Sequence, residues 1–461
     1  MECDFLIIGS GPAGSVLSWN LANKGFKVSI VDRANNLGKT DKNSFIYSPY
    51  IKDCPDYYTP VFSNQLGGNS ALWNNKVYLI SEDEFNSGSW QFSYKELLKY
   101  SVKLAKEFEI NHNEISKVKD INGLKYSQSK RVKKLGNIFN FLNLQSNKNI
   151  TIYSNSSPVK LIFFEKKVHS AIIEILDKKQ KLKIKINKSI IFCAGGLGNP
   201  HIINNLLKND INKVGNNLCD HSHINLTEIQ KDKLNDFFYF GKYFINKDKN
   251  QLEQNLFLEN NKHFVGVNFD FIPDPARILK RIFIRSRKVV SKFLLSILIK
   301  YYSLFFKITV SLLSIFNIKG KYSLEFFFSQ SKNENNKVKL SNGEFDKFGL
   351  NKSNISWKID DEERKIYNNL IASLVGENGK LLNNKKSYLF DKKKIFVGLH
   401  PSCTTSIGKN KSEGCVDSNL KLFDYDNIYV SGSSVFSTNG FTNPTWTIMS
   451  LSYRLSEYLN K

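Results

Sequence analysis

The chain has 461 residues, of which 41% are hydrophobic and 13% aromatic, and this composition indicates folded domains rather than a disordered chain. The formal net charge is +24, but most of the excess is lysine spread along the whole chain, which argues against a nucleic-acid-binding protein. The six cysteines form no CxxC motif and no metal-like Cys/His spacing, so we expect reduced, mostly buried thiols and no metal site.

The amino-terminal residues predict a dinucleotide-binding unit. They run directly into an apolar strand, at residues 4–8, without a signal peptide, which predicts a cytoplasmic protein. The segment Gly9-Ser10-Gly11-Pro12-Ala13-Gly14 follows the strand at once and is a GxGxxG motif. A helix over residues 13–23 and a second strand over residues 28–31 come next, so the predicted unit is β-α-β.

Each key residue of this unit has a separate task in binding a dinucleotide. Gly9 permits the tight turn, Gly11 lets the backbone approach a pyrophosphate, and Gly14 lets the helix pack on the strand. Asp32 ends the second strand, is followed by Arg33, and can accept hydrogen bonds from ribose hydroxyls. A carboxylate at this place predicts FAD or NAD(H) rather than NADP(H).

Three further parts of the chain carry motifs in a recognisable order. Residues 65–74, with the sequence QLGGNSALWN, contain two adjacent glycines, and residues 190–200 form an apolar strand followed by a glycine turn. The third part covers residues 400–459 and is the most specific. Together these motifs resemble the glucose-methanol-choline (GMC) oxidoreductases, in particular their bacterial sugar-dehydrogenase-like members. The resemblance covers both ends and the middle of the chain but is poor over about residues 225–320.

The resemblance implies that the cofactor is FAD. No histidine precedes His112, so the glycine-glycine loop offers no histidyl link to the flavin, and we expect FAD to be bound non-covalently. The cofactor contacts that the motifs imply are Gly9, Gly11, Pro12, Ala13, Gly14, Asp32, Arg33, Gly67, Gly68, Asn69, Ser70, Asn74, Val159, Ala194, Gly195, Gly432, Ser433, Asn443 and Pro444.

His400 and Asn443 match the family positions of the catalytic pair. Oxidation of an alcohol by hydride transfer to flavin N5 needs a group that accepts the hydroxyl proton and a group that holds the developing alkoxide. A neutral imidazole in an apolar pocket is a competent base, and an asparagine amide can donate to the same oxygen. The resemblance therefore implies that His400 is the base and that Asn443 is its partner.

The chain also departs from the family pattern. Cys403 stands where the family usually has glycine, and Ser406-Ile407-Gly408 stands where it has Arg-Met-Gly. We expect Cys403 to be a small packing residue. His221 and His223, beside Asp220, form an isolated HxH that follows a family turn, so we expect structural roles for both rather than metal binding.

Residues 277–318 do not resemble the catalytic core and predict one long amphipathic helix or a helical hairpin. Basic residues and serines occupy one arc of the helical wheel, and the rest is apolar. One interpretation is a helix on a membrane surface, which passes electrons to a quinone or receives a lipid-linked substrate. The other is a helix that packs on the protein's own body or on a partner subunit. Lys300 and Lys307 within the apolar run argue against a membrane span.

The predicted fold class is α/β, with a Rossmann-like FAD-binding parallel sheet and a second α+β substrate domain that contains an antiparallel sheet. Strands at residues 324–330 and 337–340 are expected in that antiparallel sheet, and Phe326-Phe327-Phe328 would line or back the pocket. The predicted FAD-binding domain is discontinuous and consists of residues 1–80, 145–225 and 390–461. The substrate or cap domain consists of residues 81–144 and 226–389.

The leading hypothesis is an FAD-dependent alcohol or sugar dehydrogenase, or an oxidase, with a protein or quinone electron acceptor in the dehydrogenase case. One alternative is a flavin monooxygenase or desaturase that shares only the nucleotide fold. Another is a catalytically silent flavoprotein that binds a membrane surface or a partner. The sequence leaves the substrate, the natural electron acceptor and the oligomeric state open.

Overall fold

The computed structural model describes residues 1–35, 45–47, 51, 61–115, 118–121, 124–128, 130–207, 213–230, 254–260, 263–273, 320–374, 395–397 and 400–461. The predicted basic helix at residues 277–318 lies outside these ranges, so both of its interpretations stay predictions. Every cysteine in the described part of the chain is buried and free.

A mainly parallel sheet, called here the nucleotide sheet, forms the centre of the dinucleotide-binding part. Apolar residues fill both faces of the strand Glu2–Ile8, which pairs in parallel with Val28–Val31 on one side and with the end of Gln180–Phe192 on the other. Strands buried on both faces are typical of parallel sheets covered by helices. Ile150–Tyr153 and Ile428–Val430 extend this parallel part at its two ends.

The helix of the β-α-β unit is Pro12–Asn23, and it begins one residue earlier than predicted. Proline suits the first turn of a helix because its φ is already helical and its missing N–H would have no partner there. The strand Val28–Val31 has the predicted bounds. An antiparallel meander of Ser156–Phe164, Lys167–Ile175 and the first half of Gln180–Phe192 continues the same sheet.

An antiparallel sheet, called here the cap sheet, forms the second layer. In spatial order its strands are Ile395–Val397, Ser222–Gln230, Gly320–Phe328, His263–Pro273, Gln254–Asn260, Leu124–Gln128 and Val118–Ile121. A parallel Rossmann-like sheet together with an antiparallel sheet confirms the predicted fold class. Residues 395–397 and 222–225 belong to the cap sheet, although the predicted boundaries assign them to the nucleotide-binding domain.

The expectation for residues 337–340 was wrong. The strand Lys337–Phe345 pairs with Asn351–Ser356 in a separate two-stranded sheet and does not join the cap sheet. The physical reason is a competing partner, since the Val338 N–H donates to the Gly215 carbonyl at 2.7 Å. The hairpin also contacts the helix Gly195–Leu207, where the Asn205 amide donates to the Asn351 carbonyl at 3.0 Å.

The carboxyl-terminal helix Thr445–Leu459 connects the two ends of the chain. The Asn20 amide donates to the Ser456 hydroxyl at 2.7 Å, and this bond joins the carboxyl-terminal helix to the helix Pro12–Asn23. The Trp446 indole N–H donates to the Ser101 hydroxyl at 2.8 Å, and this bond joins the carboxyl-terminal helix to the helix Tyr94–Glu107. Asn443 lies two residues before the first residue of this helix.

The remaining described elements do not belong to the two large sheets. Within the described ranges, no helix is both long and apolar enough to span a bilayer. The other α-helices of the described residues are Glu82–Asn86, Ile138–Phe141 and Asp361–Leu374. The 3₁₀ helices there are Gly68–Ala71, His112–Glu114, Lys133–Leu135, Leu144–Ser146 and Ser433–Val435. Two small strand pairs are Phe45–Tyr47 with Val61–Ser63 and Lys76–Val77 with Lys130–Arg131.

Candidate active site

One continuous cavity of about 800 Å³ reaches from the carboxyl ends of the parallel strands to the carboxyl-terminal segment. Open α/β sheets bind their ligands at this edge. Of the residues that the sequence implied, the cavity is lined by Gly9, Gly11, Pro12, Ala13, Asp32, Arg33, Gly68, Asn69, Ser70, Asn74, Ala194, Gly195, His400, Gly432, Ser433, Asn443 and Pro444.

Three implied residues lie behind this lining. Gly14 faces the protein, because a Cβ there would stand 1.9 Å from the Gly9 carbonyl oxygen. Gly67 has a φ of +93°, and its N–H donates to the Ser10 hydroxyl at 2.9 Å. Val159 follows Ser156, Ser157 and Pro158, which line the cavity themselves.

The glycine turn and Asp32 form the nucleotide end of the cavity. Gly9 has a φ of +102°, and a Cβ there would lie 2.7 Å from the Cys193 carbonyl oxygen, so only glycine fits this turn. Asp32 Oδ2 accepts hydrogen bonds from the Ser10 N–H at 2.5 Å and the Ser10 hydroxyl at 2.7 Å, and Oδ1 accepts from the Ala34 N–H at 2.7 Å. Ser10 therefore holds the carboxylate that the sequence assigned to ribose.

Two lining residues at this end come from a distant hairpin and were missed by the sequence analysis. Asp346 binds the Arg33 guanidinium at 2.8 Å, and Lys347 lies beside it in the cavity wall. Burial tends to raise the pKa of Asp346, but its hydrogen bond with His201 and the charge of Arg33 outweigh burial and lower the pKa to about 2. Charged residues in the turn of a hairpin gave no signal that they face a cavity.

His400 and Asn443 meet at the opposite end of the cavity. His400 Nε2 lies 3.3 Å from Asn443 Nδ2, and both half-buried side chains line the cavity. A single ligand oxygen can therefore contact both. The His400 N–H donates to Asp220 Oδ1 at 2.9 Å, which holds the backbone that carries the imidazole.

His221, for which the sequence analysis expected a structural role, lies against the ring of His400. Its Nδ1 lies 3.2 Å from His400 Nδ1, and the ring centroids are 4.9 Å apart. Burial lowers the pKa of His221 to about 3. Burial, together with His221 and His223, also holds the pKa of His400 well below its usual range, so His400 is neutral near pH 7. The HxH motif gave a signal, but it did not show which residue faces His400.

Aromatic rings line the wall next to the histidines. Phe327 and Phe441 line the cavity with His223, and the Phe327 and Phe441 rings stack at 5.9 Å and 21°. Phe264 stacks on Phe441 at 6.2 Å behind this wall. Phe328 is buried and stacks on Tyr367 at 4.4 Å.

Cys403 is buried and has a φ of +67°, a conformation that favours glycine, the usual family residue there. Its thiol lies against the Ser402 hydroxyl at 3.6 Å and is hydrogen-bonded to the Cys219 thiol. That hydrogen bond and burial raise the pKa of Cys219 well above its usual range.

The residues of the cavity fit a flavin dinucleotide. No protein atom lies within 4 Å of a Cβ built on Gly11, so its backbone is open to a pyrophosphate, and it precedes the amino terminus of the helix Pro12–Asn23. The same cavity contains Asp32 for a ribose and the pair His400 and Asn443 at its other end.

Two parts of the chain match models of known protein families. Residues 333–452 match the family model "GMC oxidoreductase", which describes the carboxyl-terminal domain, and residues 7–46 match an NAD(P)-binding Rossmann-like domain. No curated protein sequence is detectably similar to this chain.

Solved structures share the fold at low sequence identity. Pyridoxine 4-oxidase from Mesorbium loti is 12% identical, covers 99% of both chains and has a TM-score of 0.60. A formate oxidase variant from Aspergillus oryzae RIB40 is 14% identical, with 99% of this chain and 98% of that chain covered and a TM-score of 0.61. An FAD-dependent oxidoreductase from Chaetomium thermophilum is 15% identical at the same coverage, with a TM-score of 0.59.

Two of these solved structures are named for FAD, the cofactor that the sequence predicts for this chain. The family model of the GMC oxidoreductases thus matches the carboxyl-terminal part of the chain, the Rossmann-like model matches its amino-terminal part, and the solved structures share its fold along almost the whole chain.

Proposed function

We propose that the protein oxidises a CH–OH group of a small alcohol or sugar-like substrate, with His400 as the base and non-covalent FAD as the hydride acceptor. The observation that carries this proposal is the pair of His400 Nε2 and Asn443 Nδ2, 3.3 Å apart in the wall of the cavity. When bound, FAD supplies the acceptor for the hydride that leaves the carbinol carbon.

The protein's own part in this reaction is to receive a proton and to hold an oxygen. His400 Nε2 takes the hydroxyl proton while the C–H bond transfers its hydride, so the substrate loses two electrons and two hydrogens. Asn443 Nδ2 donates a hydrogen bond to the same oxygen as its negative charge develops. Because the pKa of His400 is low, the imidazole is unprotonated and ready to accept the proton near neutral pH.

The substrate class is the finer part of the proposal. The similar structures named above include a pyridoxine 4-oxidase and a formate oxidase, two enzymes named for very different substrates. The test panel therefore contains simple alcohols, sugars, sugar acids, pyridoxine and formate. The silent-flavoprotein alternative is favoured only by the departures at Cys403 and at Ser406-Ile407.

The deciding experiment follows the flavin spectrum of the purified protein under anaerobic conditions while each compound is added. We expect bleaching by one class of compound, and we expect His400→Ala to slow it by about 10²–10⁴-fold. His169→Ala, at an exposed histidine, is the matched control and should bleach like the wild type. Equal rates in the wild type and His400→Ala would refute the proposed base. A bound flavin that no compound bleaches would favour the silent flavoprotein.

The electron acceptor, the cofactor linkage and the location need separate tests. Dioxygen consumption during turnover indicates an oxidase, and reduction of an added quinone indicates a dehydrogenase. Acid precipitation should release all the FAD into the supernatant if the cofactor is non-covalent. Flotation with anionic vesicles, with and without residues 277–318, tests the proposed cytoplasmic membrane-surface location.

A further inference from the structure

The two histidines at the site form a chain of contacts that ends at a backbone carbonyl. His400 Nε2 faces Asn443 Nδ2 at 3.3 Å, and His400 Nδ1 faces His221 Nδ1 at 3.2 Å. His221 Nε2 in turn faces the Asn439 carbonyl oxygen at 3.1 Å. Every nitrogen of both rings therefore has a polar neighbour at hydrogen-bond distance.

These contacts determine where the protons lie. A carbonyl oxygen can only accept, so His221 Nε2 carries a hydrogen and donates it to Asn439. A neutral His221 then has a lone pair on Nδ1, and two lone pairs cannot face each other at 3.2 Å. His400 Nδ1 must therefore carry the hydrogen between the rings, which leaves Nε2 of a neutral His400 without one.

Both rings are held in this arrangement from the backbone. Asp220 Oδ1 accepts the N–H of His221 at 2.7 Å and the N–H of His400 at 2.9 Å, so one carboxylate aligns two segments that are distant in sequence. The Asn439 side chain accepts the Gln330 N–H at 3.0 Å, which fixes the residue that supplies the terminal carbonyl.

We propose that His221 is a positioning residue that holds His400 in the tautomer with an unprotonated Nε2 facing the cavity. His221 faces the His400 ring at Nδ1, whereas Asn443 faces it at Nε2, so His221 acts through its own Nδ1 lone pair. The catalytic consequence rests on the proposed function, because only this tautomer can accept a proton from a ligand in the cavity. The tautomer itself does not depend on which substrate reacts.

Two substitutions at one position separate the two contacts of His221. In His221→Asn, the amide oxygen can take the place of Nδ1 and accept from His400, but the contact to Asn439 is lost. In His221→Gln, the longer amide can reach Asn439, but the acceptor for His400 Nδ1 is lost. If His221 only supports the Asn439 segment, His221→Gln should be the milder change. If it positions His400, His221→Asn should be the milder change.

The first readout is ¹⁵N NMR of the FAD-loaded protein labelled at histidine, in which protonated and unprotonated ring nitrogens have separate shifts. The His400 signals are assigned by their loss in His400→Ala. We expect a protonated Nδ1 and an unprotonated Nε2 in the wild type and in His221→Asn, and a mixture of tautomers in His221→Gln. A protonated Nε2 in the wild type, or an unchanged tautomer in His221→Gln, would overturn the proposal.

The second readout is the rate of flavin reduction by a compound that bleaches the wild type. We expect kcat to fall about tenfold or more in His221→Gln with little change in KM, because only molecules in the competent tautomer react. His221→Asn should keep most of the rate. The reverse order of the two variants would contradict the proposal. If no compound bleaches the flavin, the proposed function fails, while the NMR result still decides the tautomer.

Discussion

Gly11 and Gly14 belong to the same glycine turn, but Gly11 faces open space and Gly14 faces the backbone of the protein. A Cβ on Gly11 meets no protein atom within 4 Å, whereas a Cβ on Gly14 would stand 1.9 Å from the Gly9 carbonyl oxygen. The same substitution therefore tests ligand approach at one residue and helix packing at the other.

We expect Gly11→Ala to fold with nearly the thermal stability of the flavin-free wild type but to bind FAD weakly, since the added methyl points to the place of the pyrophosphate. Gly14→Ala should instead lower the free energy of unfolding by about 1–3 kcal/mol, because the helix must move away from Gly9. Flavin content after purification and thermal melts of the flavin-free proteins measure the two effects. A Gly11→Ala protein with full flavin content would contradict this prediction.

At the scale of elements, the short helix Glu82–Asn86 holds the segment that carries Asn443. Glu84 is buried, and its Oε1 accepts the Phe441 N–H at 3.1 Å. Its Oε2 accepts the Tyr78 hydroxyl at 2.9 Å and both donors of Ser81, which caps the helix. Burial raises the pKa of Glu84, and these donors act in the opposite direction.

Glu84→Gln should lower the free energy of unfolding by about 1–3 kcal/mol. The NH₂ group of the new glutamine replaces either Oε1 or Oε2, and in both places it faces a hydrogen-bond donor instead of an acceptor. The substitution should also slow flavin reduction, since Phe441 lies two residues before Asn443. Glu82→Gln changes an exposed residue of the same helix and is the matched control. Chemical denaturation and anaerobic flavin reduction measure both effects, and a Glu84→Gln protein that matches this control would disprove the role of Glu84.

At the scale of the whole molecule, the cavity joins parts of the chain that are far apart in sequence. Its walls come from the amino-terminal turn, the glycine-glycine loop, the turn after the strand Gln180–Phe192 and the carboxyl-terminal segment. A ligand that contacts all of these walls stabilises the folded chain by mass action.

We therefore expect removal of FAD to lower Tm and its addition to restore it, with a gain of about 2.7 kcal/mol when free FAD is one hundred times its Kd. Thermal melts of the flavin-free protein at increasing FAD concentration measure this effect. Gly11→Ala should show little gain over the same concentrations. Identical melts of the wild type with and without FAD would mean that the cavity does not bind the cofactor.

Local patterns in the sequence predicted the β-α-β unit and the glycine turn, whereas the pair His400 and Asn443 came from the resemblance to a known family. The local patterns are readable because a strand, a turn and a helix depend on residues that are neighbours in the chain. The resemblance to GMC oxidoreductases extended this to the cofactor, which stays a prediction, and to the fold class, which is confirmed. The strand at residues 337–340 was placed in the wrong sheet, because pairing depends on which partner the folded chain offers.

Only the tertiary structure decided how the site is completed. His221 meets His400, and Asp346 meets Arg33, across large separations in sequence. Such contacts are made over about 3 Å and depend on the path of the whole chain, so no local periodicity encodes them. The sequence by itself thus determined which local elements and reactive side chains this protein has, and the folding of the whole chain decided which of those side chains meet.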